Sequence, residues 1–144
     1  MTGCELCENA GGEILWEDDY CRAVWAYEPE HPGLCRVIWD RHVKEMTDLK
    51  PGERDRIMKV VFATEQALIT VVQPDKVNLA SLGNLVAHVH WHVIPRFRDD
   101  PHFPNPIWGQ KLRQAARGLP KDFSMRMRRA LDEILKPRGL VSRG

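Results

Sequence analysis

Long apolar runs are missing from this sequence. Nothing approaches the roughly 18 consecutive apolar residues that a membrane-spanning helix needs, so no membrane partner is expected. A strong charge of either sign is missing too, since the formal net charge is +1. That argues against the basic field with which proteins grip nucleic acid, and no nucleic-acid partner is expected. The opening residues Met1-Thr2-Gly3-Cys4-Glu5 lack the basic and apolar regions of a signal peptide. This predicts a cytoplasmic protein with reduced thiols. There is no internal repeat and no low-complexity segment. Cysteine is sparse, with four residues, and Cys21 and Cys35 fall in apolar, strand-like segments as small core side chains.

What remains is the make-up of a globular chain whose 144 residues suit one domain, 1–144, with a helical extension over about 109–144. The charge is unevenly spread. Residues 111–144 hold 10 Lys/Arg against 3 Asp/Glu, and residues 1–110 hold 11 against 17. A basic tail can steer a polyanion. A solvated amphipathic helix gives the same pattern.

Five strands and two main helices can be read from the pattern. Ile14–Trp16 and Cys21–Ala26, separated by Asp18-Asp19, predict a hairpin. Glu28–Gly33 holds two prolines and a glycine and reads as a loop. Leu34–Trp39 is a third strand. Pro51–Val72 is the clearest helix, with Pro51 in the first turn, apolar Ile57, Val61, Leu68, Val71 and Val72, and Pro74 just beyond. Val77–Leu82 and Leu85–Ile94 are strands, the second stopped by Pro95. A short helix is expected around Trp108–Arg117 and a last one over Lys121–Leu135, with Phe123, Met127, Leu131 and Ile134 on one face. This order predicts an α+β fold with an antiparallel sheet.

The informative segment is His88-Val89-His90-Trp91-His92-Val93-Ile94-Pro95-Arg96. Strand side chains alternate, so the three histidines share one face at steps of roughly 6.6 Å, and Val89, Trp91 and Val93 point the other way into a core. Three of six histidines within five residues is not a scatter of satisfied core histidines. Two chemistries fit. One is a tris-histidine metal site. The other is nucleophilic catalysis, in which one imidazole keeps a free lone pair while its other nitrogen donates a proton to an acceptor.

The pattern His-φ-His-φ-His-φ-φ, with φ hydrophobic, resembles the signature of the histidine triad (HIT) family. Upstream, Pro32-Gly33-Leu34-Cys35-Arg36-Val37-Ile38 and Arg41-His42 resemble the family's PGH-x-L-V-I-P-x-x-H stretch, and Trp16-Glu17-Asp18-Asp19 resembles its YEDD hairpin. The resemblance spans residues 4–96. It implies an antiparallel α+β sheet, often in a homodimer, and hydrolysis or transfer at the α-phosphate of a nucleotide derivative. His90 would be the nucleophile. His92 would bind phosphate or orient His90, and Asn78, Gly83 and Asn84 would contact substrate.

Cys4 and Cys7 form a C-x-x-C pair, whose spacing suggests metal or redox use. No thioredoxin-like βαβ pattern surrounds it. The resemblance implies a structural zinc held by Cys4, Cys7, His42 and His88, a closed Cys₂His₂ set.

The chain also departs from the family. Ala26 or Tyr27 stands where an Asp or Asn usually bonds the ribose, and Leu85 where Ser or Thr often meets the leaving group. Phe97, His102, Phe103, Pro106 and Trp108 form a stiff aromatic stretch that either caps the site and stacks on a base or packs as a loop. The rival reading is a zinc-stabilised nucleotide-binding module with little turnover.

Overall fold

A computed structural model describes residues 3–115 and 117–136. Its first hairpin is closed by Asp18, whose Oδ1 accepts the N–H groups of Tyr20 at 2.8 Å and Cys21 at 2.9 Å. This local side-chain turn joins β1 (Glu13–Glu17) to β2 (Cys21–Trp25). β3 (Cys35–Trp39) pairs with β2, β5 (His90–Arg96) with β3, and β4 (Lys76–Ala80) closes the far edge. All neighbours are antiparallel, in the order β1-β2-β3-β5-β4. The α+β class read from the pattern is the one observed.

One face of the sheet is dry. α2 (Pro51–Val72) crosses β2, β3 and β5, and α3 (Phe123–Leu135) lies on β1 and α2. Ile57, Val61, Leu68 and Val71 of α2 meet Ala23, Val37 and Val93 of the sheet, and Phe123, Met127 and Leu131 of α3 complete the core. Thr64 is fully buried there because its hydroxyl bonds the Val60 carbonyl at 2.8 Å. α2 has the predicted bounds. Pro51 needs no hydrogen-bond partner at the first turn, and Glu53 accepts the Lys50 N–H at 2.8 Å. Gln73 ends the helix in the left-handed region at φ 50°, directly before Pro74.

The opposite face carries an N-terminal layer. A one-turn helix, α1 (Glu5–Glu8), and the segment to Gly12 lie over β2 and β3, with Cys4 and Leu6 against Val24 and Ile38. Gly12, at φ +153°, can only be glycine, because a Cβ there would sit 2.2 Å from the Trp25 carbonyl oxygen.

Two predicted elements are corrected. β5 begins at His90, not Leu85, and runs through Pro95 to Arg96. Residues 85–89 lie outside it, and the Val89 N–H bonds the Val43 carbonyl at 2.9 Å instead. Pro95 is tolerated because β3 pairs with β5 only as far as Val93, so that side of β5 is free where the missing N–H falls. No helix forms over the described residues between Trp108 and Arg117. The N–H groups of Leu112 and Arg113 bond the Pro101 carbonyl at 2.7 and 3.1 Å, which holds this stretch extended against the preceding loop. The part of the expected C-terminal extension beyond residue 136 lies outside the described residues.

Candidate functional site

Pairing fixes which side chains share the face opposite the helices. Ile38 stands beside His90, Arg36 beside His92, and Ala80 on the other flank of His92. The expected alternation holds: Val89, Trp91 and Val93 belong to the core, and the histidines do not.

His90 is buried, and its Nδ1 lies 2.6 Å from the backbone carbonyl oxygen of His88. A carbonyl only accepts, so Nδ1 carries the hydrogen. Nε2 is therefore left with its lone pair, the state a nucleophilic imidazole requires. Ser81 anchors the same residue by donating its hydroxyl to the His90 carbonyl at 2.7 Å. Next to His90 opens a cleft of about 280 Å³ whose walls include His88, Ser81, Gly83 and Met46.

His92 packs edge-on to His90 and to Trp108, each with ring centroids 5.1 Å apart. Its Nδ1 is buried without a partner among the described residues. Burial, then the neighbouring His90 and Arg36, push its pKa down to about 4, so the ring is neutral at pH 7.

Gly83 lies at the cleft in the left-handed region, φ +76°. Asn84 is exposed at the turn. Asn78 is engaged elsewhere, its Oδ1 accepting from Arg96 Nη1 at 2.8 Å. Leu85 is 99% exposed. The Tyr27 hydroxyl donates to Glu13, away from the histidine face, so neither Ala26 nor Tyr27 offers that face a polar side chain.

A second cluster adjoins the first. Cys4 Sγ, Cys7 Sγ, His42 Nδ1 and His88 Nδ1 lie within 4.8 Å of one another. His88 Nε2 faces the Trp39 carbonyl and must carry the hydrogen, so its Nδ1 lone pair points into the cluster. That nitrogen is 3.4 Å from Cys4 Sγ, 3.5 Å from Cys7 Sγ and 3.2 Å from His42 Nδ1. Burial and the adjacent Cys4 sulfur raise the Cys7 pKa. Two sulfurs and two imidazoles converging on one point can hold a cation, which would favour the thiolates. Fold alone joins these four residues, up to 84 positions apart.

Beyond β5 lies a network that was not foreseen. Arg96, 2% exposed, gives Nε and Nη2 to the Asp100 carboxylate at 2.8 and 3.1 Å and Nη2 to the Asn105 carbonyl at 2.7 Å. Asp100 also accepts the N–H groups of Phe97, His102 and Phe103. The Arg96–Asp100 spacing was visible in the sequence, but only burial makes it matter. This network carries the loop that ends with Trp108 against His92.

A small antiparallel sheet with a polar, histidine-lined face and helices behind it defines the class of protein. The HIT domain model matches residues 8–99, and the chain belongs to that family. It is 30% identical over 96 residues to the AP-4-A phosphorylase of Mycobacterium tuberculosis, covering 62% of this chain and 49% of that protein. The chain thus spans about half the length of this curated relative. Among solved structures, a histidine triad protein from Bradyrhizobium japonicum superposes with a TM-score of 0.72 at 24% identity, covering 85% of this chain and 92% of that one. A zinc-bound histidine triad family protein from Mycobacterium smegmatis gives 0.64 at 20% identity, covering 99% and 98%.

Proposed function

We propose that the protein is a nucleotide hydrolase or nucleotidyl transferase. The carrying observation is the 2.6 Å contact between His90 Nδ1 and the His88 carbonyl, which frees Nε2 for attack. Nε2 attacks the α-phosphorus, the phosphorus–leaving-group bond breaks, and a nucleotidyl-histidine forms. Water or another acceptor then breaks the P–N bond and releases the nucleotide. Neutral His92 binds phosphate or holds His90 in place, Gly83 and Asn84 form the surrounding substrate wall, and Asn78, whose Oδ1 is taken by Arg96, has only its amide NH₂ to offer it. Similarity to an AP-4-A phosphorylase supports a dinucleoside polyphosphate, and a nucleoside phosphoramidate offers the same reactive centre.

Zinc fits the second cluster. With Zn–S of about 2.3 Å and Zn–N of about 2.0–2.1 Å, a tetrahedron has edges of roughly 3.3–3.8 Å. The separations from His88 Nδ1, 3.2–3.5 Å, are close to these edges, the whole set lies within 4.8 Å and would draw in around an ion, and the zinc-bound neighbour supports the reading. Cys4, Cys7, His42 and His88 would hold the ion, which would fill a closed structural site. A homodimer is supported by the edge strand β4, whose start lies beside exposed Ile69 of α2. Sedimentation equilibrium should give twice the chain mass, and a monomer at micromolar concentration would remove the dimer from the proposal.

The test is AMP release from a diadenosine polyphosphate and an adenosine phosphoramidate. Replacing His90 with alanine should lower turnover by about 10³-fold or more, as removal of a nucleophile does. Unchanged turnover in the variant would refute the nucleophile. The second reading, a nucleotide-binding module, is favoured by fully exposed Leu85, which brings no donor to a leaving group. It would be established if wild type bound AMP and cleaved neither substrate.

A further inference from the structure

Three arginines lie on the histidine face of the sheet, and their partners differ. Arg22, beside Ile38, is neutralised by Asp40 and gives its other donors to the carbonyls of Leu6, Asn9 and Ala10. Arg96 is neutralised by Asp100. Arg36, half-buried, has no carboxylate within salt-bridge distance among the described residues. Its one hydrogen bond there runs from Nη1 to the Gly11 carbonyl at 3.0 Å. Most of the guanidinium's five donors are thus uncommitted. Arg36 is also the arginine whose strand position stands directly beside His92.

A half-buried cation without a counter-charge costs free energy unless a ligand supplies one. Without a ligand, His92 is held neutral by its burial and by its neighbours His90 and Arg36. Arg36 is the permanent charge on the strand beside His92, and Lys44 stands apart from it on the cleft wall next to His90.

Resting on the proposed function, we infer that Arg36 is a further substrate-binding residue that holds a second phosphate of the nucleotide beside the one attacked by His90. A planar fork of donors suits a phosphate's oxygens. That phosphate is either the next in a polyphosphate chain or one carried on the ribose, and both present anionic phosphoryl oxygens to the guanidinium. The ribose loop fits this division of labour. Ala26 and Tyr27 bring no polar side chain to the face, and Arg36 supplies an ionic contact in its place.

Calorimetric titration of the wild type and of Arg36→Leu separates the possibilities. The ligands are AMP, the non-cleavable α,β-methylene analogue of ADP, and adenosine 3′,5′-bisphosphate. Wild type should bind one of the two bisphosphorylated ligands roughly 10- to 100-fold more tightly than AMP, the range for a hydrogen bond to a charged group. The ligand that gains identifies where the second phosphate sits. Arg36→Leu should lose that gain and keep its AMP affinity, and Arg36→Lys should keep part of it. Equal affinity of wild type for all three ligands would overturn the inference, as would a gain that survives in Arg36→Leu. AMP affinity falling as far as that of the bisphosphates would overturn it too, placing Arg36 on the first phosphate or in the scaffold. These outcomes leave nucleotide binding intact. Failure of the wild type to bind any of the ligands would instead overturn the proposed function, and this inference with it.

Discussion

Before the first residue of β5, His88 turns its ring into two sulfurs and a second imidazole. At the last residue, Arg96 turns its guanidinium into a buried carboxylate. His90 and His92 lie between these two anchors. The Arg96 end is complete within the chain: both oxygens of Asp100 and four of the five N–H donors of Arg96 are used. The His88 end brings together four groups of one kind, all electron-pair donors, with no carboxylate or guanidinium in the set to pair them. One end of the histidine strand is thus fixed by folding alone, and the other by folding plus a cation that we propose to be zinc. Each end also reaches the triad by its own route. The His88 carbonyl sets the tautomer of His90, and the loop beyond Arg96 brings Trp108 against His92.

Breaking the Arg96 end should have the larger effect on stability. Asp100→Ala leaves a guanidinium at 2% exposure without its counter-charge and frees three backbone N–H groups. Loss of one partner from a buried pair costs about 3–5 kcal/mol. Urea unfolding of the zinc-loaded protein should show that loss, and a cost under about 1 kcal/mol would mean the pair is a surface-like contact. The effect has a pH signature. Arg96 and the backbone N–H groups hold the Asp100 carboxyl well below the usual carboxylate range, against the opposing effect of burial. The stabilisation is present above the unfolded-state pKa of about 3.9 and is lost as pH falls below it, so the gap between wild type and variant should narrow in acid.

The two ends also differ in how far sequence could reveal them. α2 was legible to the residue because Pro51, Pro74 and its apolar spacing are local signals. The triad was legible because alternation along one strand needs no knowledge of the fold. The start of β5 was not, because Leu85, Val86 and Ala87 have strand-like character but no neighbouring strand to pair with; only the sheet decides that. The helix expected around 108–117 failed for a related reason, as Pro101 captures two of its N–H groups. Asp100 and Arg36 are ordinary charged residues in a string of letters. What distinguishes them is that one has a buried partner and the other has no acidic one, and both facts arise from contacts distant in sequence or from burial. The cluster of Cys4, Cys7, His42 and His88 was named by family resemblance; spacing alone offered only the two cysteines.

Removing the cation should sharpen the contrast from the other side. Each zinc-dependent effect must pass through His88, whose ring the proposed ion holds and whose carbonyl orients His90. The dry core of α2, α3 and the sheet is a separate hydrophobic cluster that meets these four residues through the Trp39 carbonyl, so a chelator should leave most of the unfolding free energy in place. Turnover should fall further in proportion. Loss of an orienting partner around a reactive group commonly costs about 10- to 100-fold, equivalent to roughly 1.4–2.7 kcal/mol in the barrier. The fall should lie mainly in kcat, because a misaligned Nε2 attacks poorly while the substrate wall beyond Ser81 is unchanged. Cys7→Ser should act like the chelator and respond weakly to added zinc. Asp100→Ala should do the reverse, losing stability while retaining one equivalent of zinc. If chelation lowered stability as much as Asp100→Ala while kcat held steady, the His88 end would be a second structural anchor with no hold on the nucleophile, and the asymmetry drawn between the two ends of β5 would be wrong.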